Sequence, residues 1–295
     1  MSAVLIERRS SEEGHAEVRQ KSHWHDRIAQ LALVLMSAFL GMFLLVPLAL
    51  VIGKCFVDAD GHFVGLANFS GYLVDSGVWT STLHSVTVAC LVTAIVIPMA
   101  FTFAYALTRS CMPMKNAVRT VALLPLLAPT LLSAVSFIYW FGNSGVLKPL
   151  LHGHSIYGLP GIVCSLVYAA FPHVLMILVT ALSLSDGRLY EAADAMGTRR
   201  ARKFFTITLP LIREVVAISG VFLVIGGLNA FEMVWLLTSQ DPSASVSTLG
   251  TLLVTTMFKD FDIGRAAALA VILLALVITG SAAVLHSLKR ETVES

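Results

Sequence analysis

The chain is 295 residues long, 57% hydrophobic and only 13% charged, with a formal net charge of +2 at pH 7. Soluble domains carry about a quarter charged residues, so this composition excludes an ordinary soluble enzyme and identifies an integral membrane protein. The net charge excludes little by itself; the positions of the charges say more.

Residues 1–27 are polar and charged and are expected to form a cytoplasmic tail. The first apolar run is too long for the core of a cleaved leader, so no signal peptide is expected. His23 and His25 belong to this solvated tail. Six apolar runs follow at 28–53, 85–107, 117–141, 162–182, 215–237 and 266–288. Each is long enough for the roughly 20 helical residues that cross a bilayer. The runs are continuous rather than alternating, which selects helices over a barrel. Pro98, Pro125, Pro129 and Pro172 fall inside them, where proline bends a helix or loosens its ladder.

Between the runs, the first outer loop contains "DADGHFVGLANFSGYL", with turn residues followed by Phe63, Val64, Leu66, Phe69 and Tyr72 at interfacial spacing. The last outer loop starts Pro- and Ser-rich and becomes amphipathic. Of the 20 Lys and Arg residues, only Lys54, Lys148, Lys259 and Arg265 fall in outer segments once the N-terminus is placed inside. That asymmetry puts both termini in the cytoplasm and requires an even number of spans. The cysteines Cys55, Cys90, Cys111 and Cys164 show no paired spacing, so neither a disulfide nor a metal cluster is expected. The expected organisation is an all-α membrane protein, with tails at 1–27 and 289–295 around one membrane domain at 28–288.

The inner segment 184–210 is unlike the rest. In "LSLSDGRLYEAADAMG", Ser and Asp favour a helix start and Gly197 a helix stop. Leu189, Tyr190, Ala193 and Met196 share one face, and Glu191 and Asp194 another. Thr198 then caps a second short helix, basic at Arg199, Arg200, Arg202 and Lys203, which Leu209–Pro210 is expected to end. A simple connection between helices needs about two to eight residues. Two readings of the longer block stay open: a docking surface for a polar partner, with Ala192, Ala193 and Ala195 allowing close approach, or a basic loop lying on anionic lipid.

Glu191, Ala192, Ala193, then Gly197 after three residues, then Ile207, Leu209 and Pro210 after nine more, resemble the EAA signature of ATP-binding-cassette importer permeases. The match lies between the fourth and fifth spans, as in that family. The resemblance implies the type I importer permease architecture, in a bacterial inner membrane. It implies that Glu191, Ala192, Ala193 and Gly197 form coupling helices in the groove of a cytoplasmic ATPase, with Ile207, Leu209 and Pro210 completing the motif. Arg199 and Arg200 are added to that contact from their charge. No Gly-rich loop ending in Gly-Lys-Ser/Thr occurs, so the chain is expected to be no enzyme and to hold no cofactor; ATP and Mg would be bound by the partner. The implied partners are two ATPase subunits, a second permease subunit, an extracytoplasmic solute-binding protein and the lipid bilayer. No nucleic-acid partner is expected.

Ionisable groups in spans are costly and are functional candidates. Glu232 with Asn229 sits near the outer end of the fifth run, either in the solute path or as an interfacial carboxylate beside Trp235. His173 faces the path or satisfies a carbonyl freed by Pro172. "VGLANF", "AYALTRSCMP" and "FPHVLMILVTALSL" resemble permeases of the 2-aminoethylphosphonate and ferric-iron groups; "FEMVWLLTSQDP" and the following residues resemble sugar and glycerol-phosphate permeases. A small polar solute such as a phosphonate is expected, with a sugar or glycerol phosphate as the alternative. Two rivals from other classes are an intramembrane serine protease using Ser144 of "GNSG" and a secondary transporter, which would need inverted repeats.

Overall fold

The computed structural model describes residues 24–74, 76–110, 112–152, 155–185, 187–238 and 246–288. Most of the expected tails, Cys111, and the Pro- and Ser-rich start of the last outer loop lie outside them. The chain divides into two compact units, Met1–Leu50 and Val51–Ser295, a boundary inside the first predicted span.

The first unit contributes most of helix α1, Trp24–Lys54. Its 31 residues rise ~46 Å, more than a hydrocarbon core. Leu33, Phe39, Phe43 and Leu44 around its surface are all exposed, as expected of a helix solvated by lipid.

In the second unit, α2 (Ala67–Val74) and α3 (Ser76–Arg109) follow a short turn region. Val88, Val92, Val96, Ala100 and Ala104 form one buried column of α3 at four-residue spacing. Small and β-branched residues at this spacing make a smooth ridge. Against it pack Leu175, Leu178 and Leu182 of α6 (Leu159–Leu184), and Ile212 and Leu223 of α9 (Leu209–Leu228). Gly227 allows the closest approach: a Cβ there would lie 2.6 Å from Cα of Ala89. A second cluster gathers Cys55, Tyr72, Leu228 and Leu249 around Ala268 and Leu269 of α12 (Ile263–Leu288). Tyr72 is thus buried, while Phe63 and Leu66 of the expected interfacial segment stay exposed. Asn68 ties this region together by donating to the carbonyls of Cys55 and Val57 at 2.8 and 3.0 Å. Burial pushes the Cys55 thiol above its ordinary pKa.

Two predicted spans are not single helices. The third divides into α4 (Lys115–Leu123), a 3-10 turn at Leu124–Leu127 and α5 (Thr130–Phe141), bent by 106°. Ala128, held extended at ψ 131° by the proline after it, makes the break. The fifth ends at Leu228. Asn229 to Phe231 interrupt it, and α10 (Glu232–Leu237) starts anew. The Ala230 carbonyl freed at this break finds its partner at the start of α11 (Leu249–Phe258), which is itself tied to α3. Thr248 donates to the carbonyl of Ala230 at 3.0 Å, and Ser85 of α3 accepts the amide of Leu249 at 2.9 Å. Five described helices are long and apolar enough to span a membrane, and the bent pair gives a sixth when taken as one span.

Candidate coupling surface and solute path

The block after α6 forms α7 (Gly187–Ala195), a corner at Gly197, and α8 (Arg200–Lys203). Gly197 adopts φ +67°, and the amide of Thr198 bonds back to the carbonyl of Ala193 at 3.0 Å. This six-to-one bond closes a helix end around a left-handed residue, the conformation glycine tolerates best. The expected stop at Leu209–Pro210 is absent. Residues Phe204–Thr208 instead make one π turn, the Leu209 amide reaching back to the carbonyl of Phe204, and the chain runs on into α9. A widened turn relieves the crowding that a proline imposes on the carbonyl four residues earlier. Leu209 is exposed and Pro210 and Ile207 half-buried along this continuous stretch.

The faces of α7 divide differently from the simple pattern. Ala193 is buried and Tyr190 half-buried, whereas Glu191, Ala192, Leu189 and Met196 are exposed, Met196 at 76%. Gly197 and Arg199 are exposed too; the side chains of Asp194 and Arg200 lie outside the described residues. The exposed set presents a carboxylate, small residues and two apolar side chains together.

Three residues not picked out as coupling groups fasten this block to the spans. Arg109, at the end of α3, donates to the carbonyls of Leu182 and Ser185 at 3.0 and 3.3 Å and to the Ser185 hydroxyl. Its guanidinium also lies 4.1 Å from the centroid of the Tyr190 ring. Tyr190 Oη and the buried Thr208 Oγ1 are 3.0 Å apart. Phe204 packs edge-on against Phe101 and Tyr105 of α3, at 5.5 and 6.1 Å between centroids. A cation at the end of α6 also complements its carbonyl terminus. Displacement of α7 is therefore resisted by α3, α6 and α9 together. Spacing exposes no such ties, because the partners are 18 to 103 residues apart in sequence.

The solute-path candidates lie on open faces. His173 is exposed on α6; its Nδ1 bonds the carbonyl of Ala169 at 3.1 Å, and its ring packs 5.7 Å from Phe222 of α9. Asn229 continues the exposed face of Phe222 seven residues on, ~10 Å along the axis, and donates to the carbonyl of Ile225 at 2.9 Å. Glu232 is exposed at the first position of α10, past the break and outside α9. Ser144 is exposed in the turn after α5, and no hydrogen bond among the described residues joins it to a histidine.

Residues 97–291 match the family described as binding-protein-dependent transport system inner membrane component. Among curated relatives, the sulfoquinovosyl glycerol transport system permease protein SmoG of Agrobacterium fabrum is 24% identical over 86% of this chain and 89% of its own. The trehalose transport system permease protein SugA of Mycobacterium tuberculosis is 28% identical over 72% of this chain and 71% of its own. Among solved structures, a bacterial ABC transporter involved in import of the acidic polysaccharide alginate superposes with a TM-score of 0.77 at 18% identity, over 91% of this chain and 97% of that one. The phosphonate expectation finds no support in these names, which fit the sugar alternative.

Proposed function

The chain belongs to the family of binding-protein-dependent transport system inner membrane components, and from that premise we propose that it is half of the membrane pathway of a sugar or glycoside importer. It is a multi-pass permease of the ABC importer class; the bacterial inner membrane is its proposed location. ATP hydrolysis belongs to two separate ATPase subunits. A second permease completes the pathway, and an extracytoplasmic binding protein delivers the solute.

The observation that carries this reading is the open face of α7, with Glu191, Ala192, Leu189 and Met196 exposed above the Gly197 corner. Its ties through Arg109, Tyr190 and Phe204 provide the mechanical route. Closure of the ATPase pair pulls this face, and α3, α6 and α9 tilt with it, exchanging outward and inward access. The sugar reading rests on the relatives' names and on the chemistry of the path candidates. His173 and Asn229 offer ring-nitrogen and amide groups that suit sugar hydroxyls.

The test uses proteoliposomes containing the full transporter with its ATPase and binding protein. ATP-dependent uptake of a radiolabelled disaccharide is expected, without competition from excess 2-aminoethylphosphonate. Uptake that the phosphonate blocks refutes the sugar assignment. Introducing Glu191→Arg is expected to abolish co-purification of the ATPase; transport that persists in that variant without ATPase refutes the coupling assignment.

A further inference from the structure

Two cations that the coupling reading leaves without a task share a recess with Arg109. Between the end of α3, the start of α4 and the end of α6 lies a cavity of about 360 Å³, whose lining includes Arg109, Lys115, Asn116, Arg119 and Ser183 and no carboxylate. Lys115 and Arg119 stand four residues apart on α4, so their like charges lie one turn apart and repel. Residues Lys115–Leu123 contain no Asp or Glu to offset them. The helix also starts without a side-chain cap: Met114, at φ 57°, provides none, so its first amides look for an outside acceptor. On the facing wall, Arg109 commits one guanidinium nitrogen to Leu182 and Ser185, and its buried Nε–H has no hydrogen-bond partner among the described residues.

Repelling cations, uncapped amides and a spare guanidinium N–H are all matched by one phosphate group. We infer that this recess binds the phosphate of an anionic phospholipid headgroup. The inference rests on the permease reading only in placing these helix ends at the cytoplasmic membrane surface, where basic pockets between spans hold such headgroups. Inorganic phosphate offers the same chemistry from solution, and an acidic segment of the ATPase is the competing macromolecular occupant. The recess lies between span ends, whereas the exposed α7 face is the part open to a partner protein.

The experiment is native mass spectrometry of the delipidated transporter complex, with phosphatidylglycerol, phosphatidylcholine or inorganic phosphate added in turn. Phosphatidylglycerol is expected to be retained, and K115Q/R119Q to weaken its retention about thirty-fold, as the loss of two surface cations implies. The control K54Q/K148Q removes the same charge elsewhere and is expected to keep full retention. Equal retention by K115Q/R119Q and the natural protein overturns the proposal, as does equal retention of phosphatidylcholine. Binding of inorganic phosphate without phosphatidylglycerol assigns a free anion and overturns the lipid. Loss of the ATPase from K115Q/R119Q with unchanged lipid retention overturns it in favour of the protein partner. Retention is read whether or not the complex moves sugar, so failure of the transport assignment leaves this result separate.

Discussion

Tyr190→Phe and Thr208→Val, made singly and together, test whether the coupling block is fastened as described. Tyr190 Oη and Thr208 Oγ1 are 3.0 Å apart, and Thr208 is fully buried. Removing the phenol oxygen leaves a buried hydroxyl without this partner, a loss of about 1–3 kcal/mol, while removing both polar groups is nearly neutral. Tyr190→Phe keeps the ring beneath Arg109, so the cation–π contact survives and the change reports the hydrogen bond alone. Each single substitution is expected to speed amide exchange across residues 187–209 by roughly tenfold, since 1.4 kcal/mol is a factor of ten. The double substitution is expected to recover most of that protection, giving a coupling energy of about 2–3 kcal/mol. Hydrogen-exchange mass spectrometry on the assembled transporter measures all three. Additive effects in the double variant would refute the tie between α7 and the start of α9.

Gly197→Ala meets no atom within 4 Å and isolates the cost of the left-handed corner at φ +67°, about 1–2 kcal/mol. Weaker co-purification of the ATPase is expected, partly recovered by Gly197→Asn; unchanged association would mean that the corner does not shape the contact. Gly227→Ala forces a Cβ to 2.6 Å from Cα of Ala89, with an expected loss of about 1–3 kcal/mol. The thermal midpoint should fall, and Ala89→Gly should restore only part of it.

The apolar runs were legible because each buried or lipid-facing span must satisfy its backbone internally, and only long helices do so. Gly197 was equally legible as a helix end, because few residues accept its conformation. The breaks were harder. Pro125 and Pro129 marked a bend, but an apolar run of 25 residues hides whether the helix flexes or turns by 106°. Nothing at Asn229 announces the end of α9, since Thr248, which donates to the freed Ala230 carbonyl, is remote in sequence. At Leu209–Pro210 local rules pointed to a stop, and a π turn carried the helix through instead. Arg109 counted only as a positive charge near a span end; its contacts with Ser185 and Tyr190 exist only once three helices converge.

The hydrogen bond from Thr248 to Ala230 anchors the terminus of α9 farthest from the coupling block. A rod fixed at one extremity swivels; it does not slide. At ~30 Å long, α9 would carry its extremity tied to Tyr190 by ~5 Å for a tilt of roughly ten degrees. Leverage of this kind concentrates travel beside Tyr190 and leaves the neighbourhood of Asn229 almost stationary.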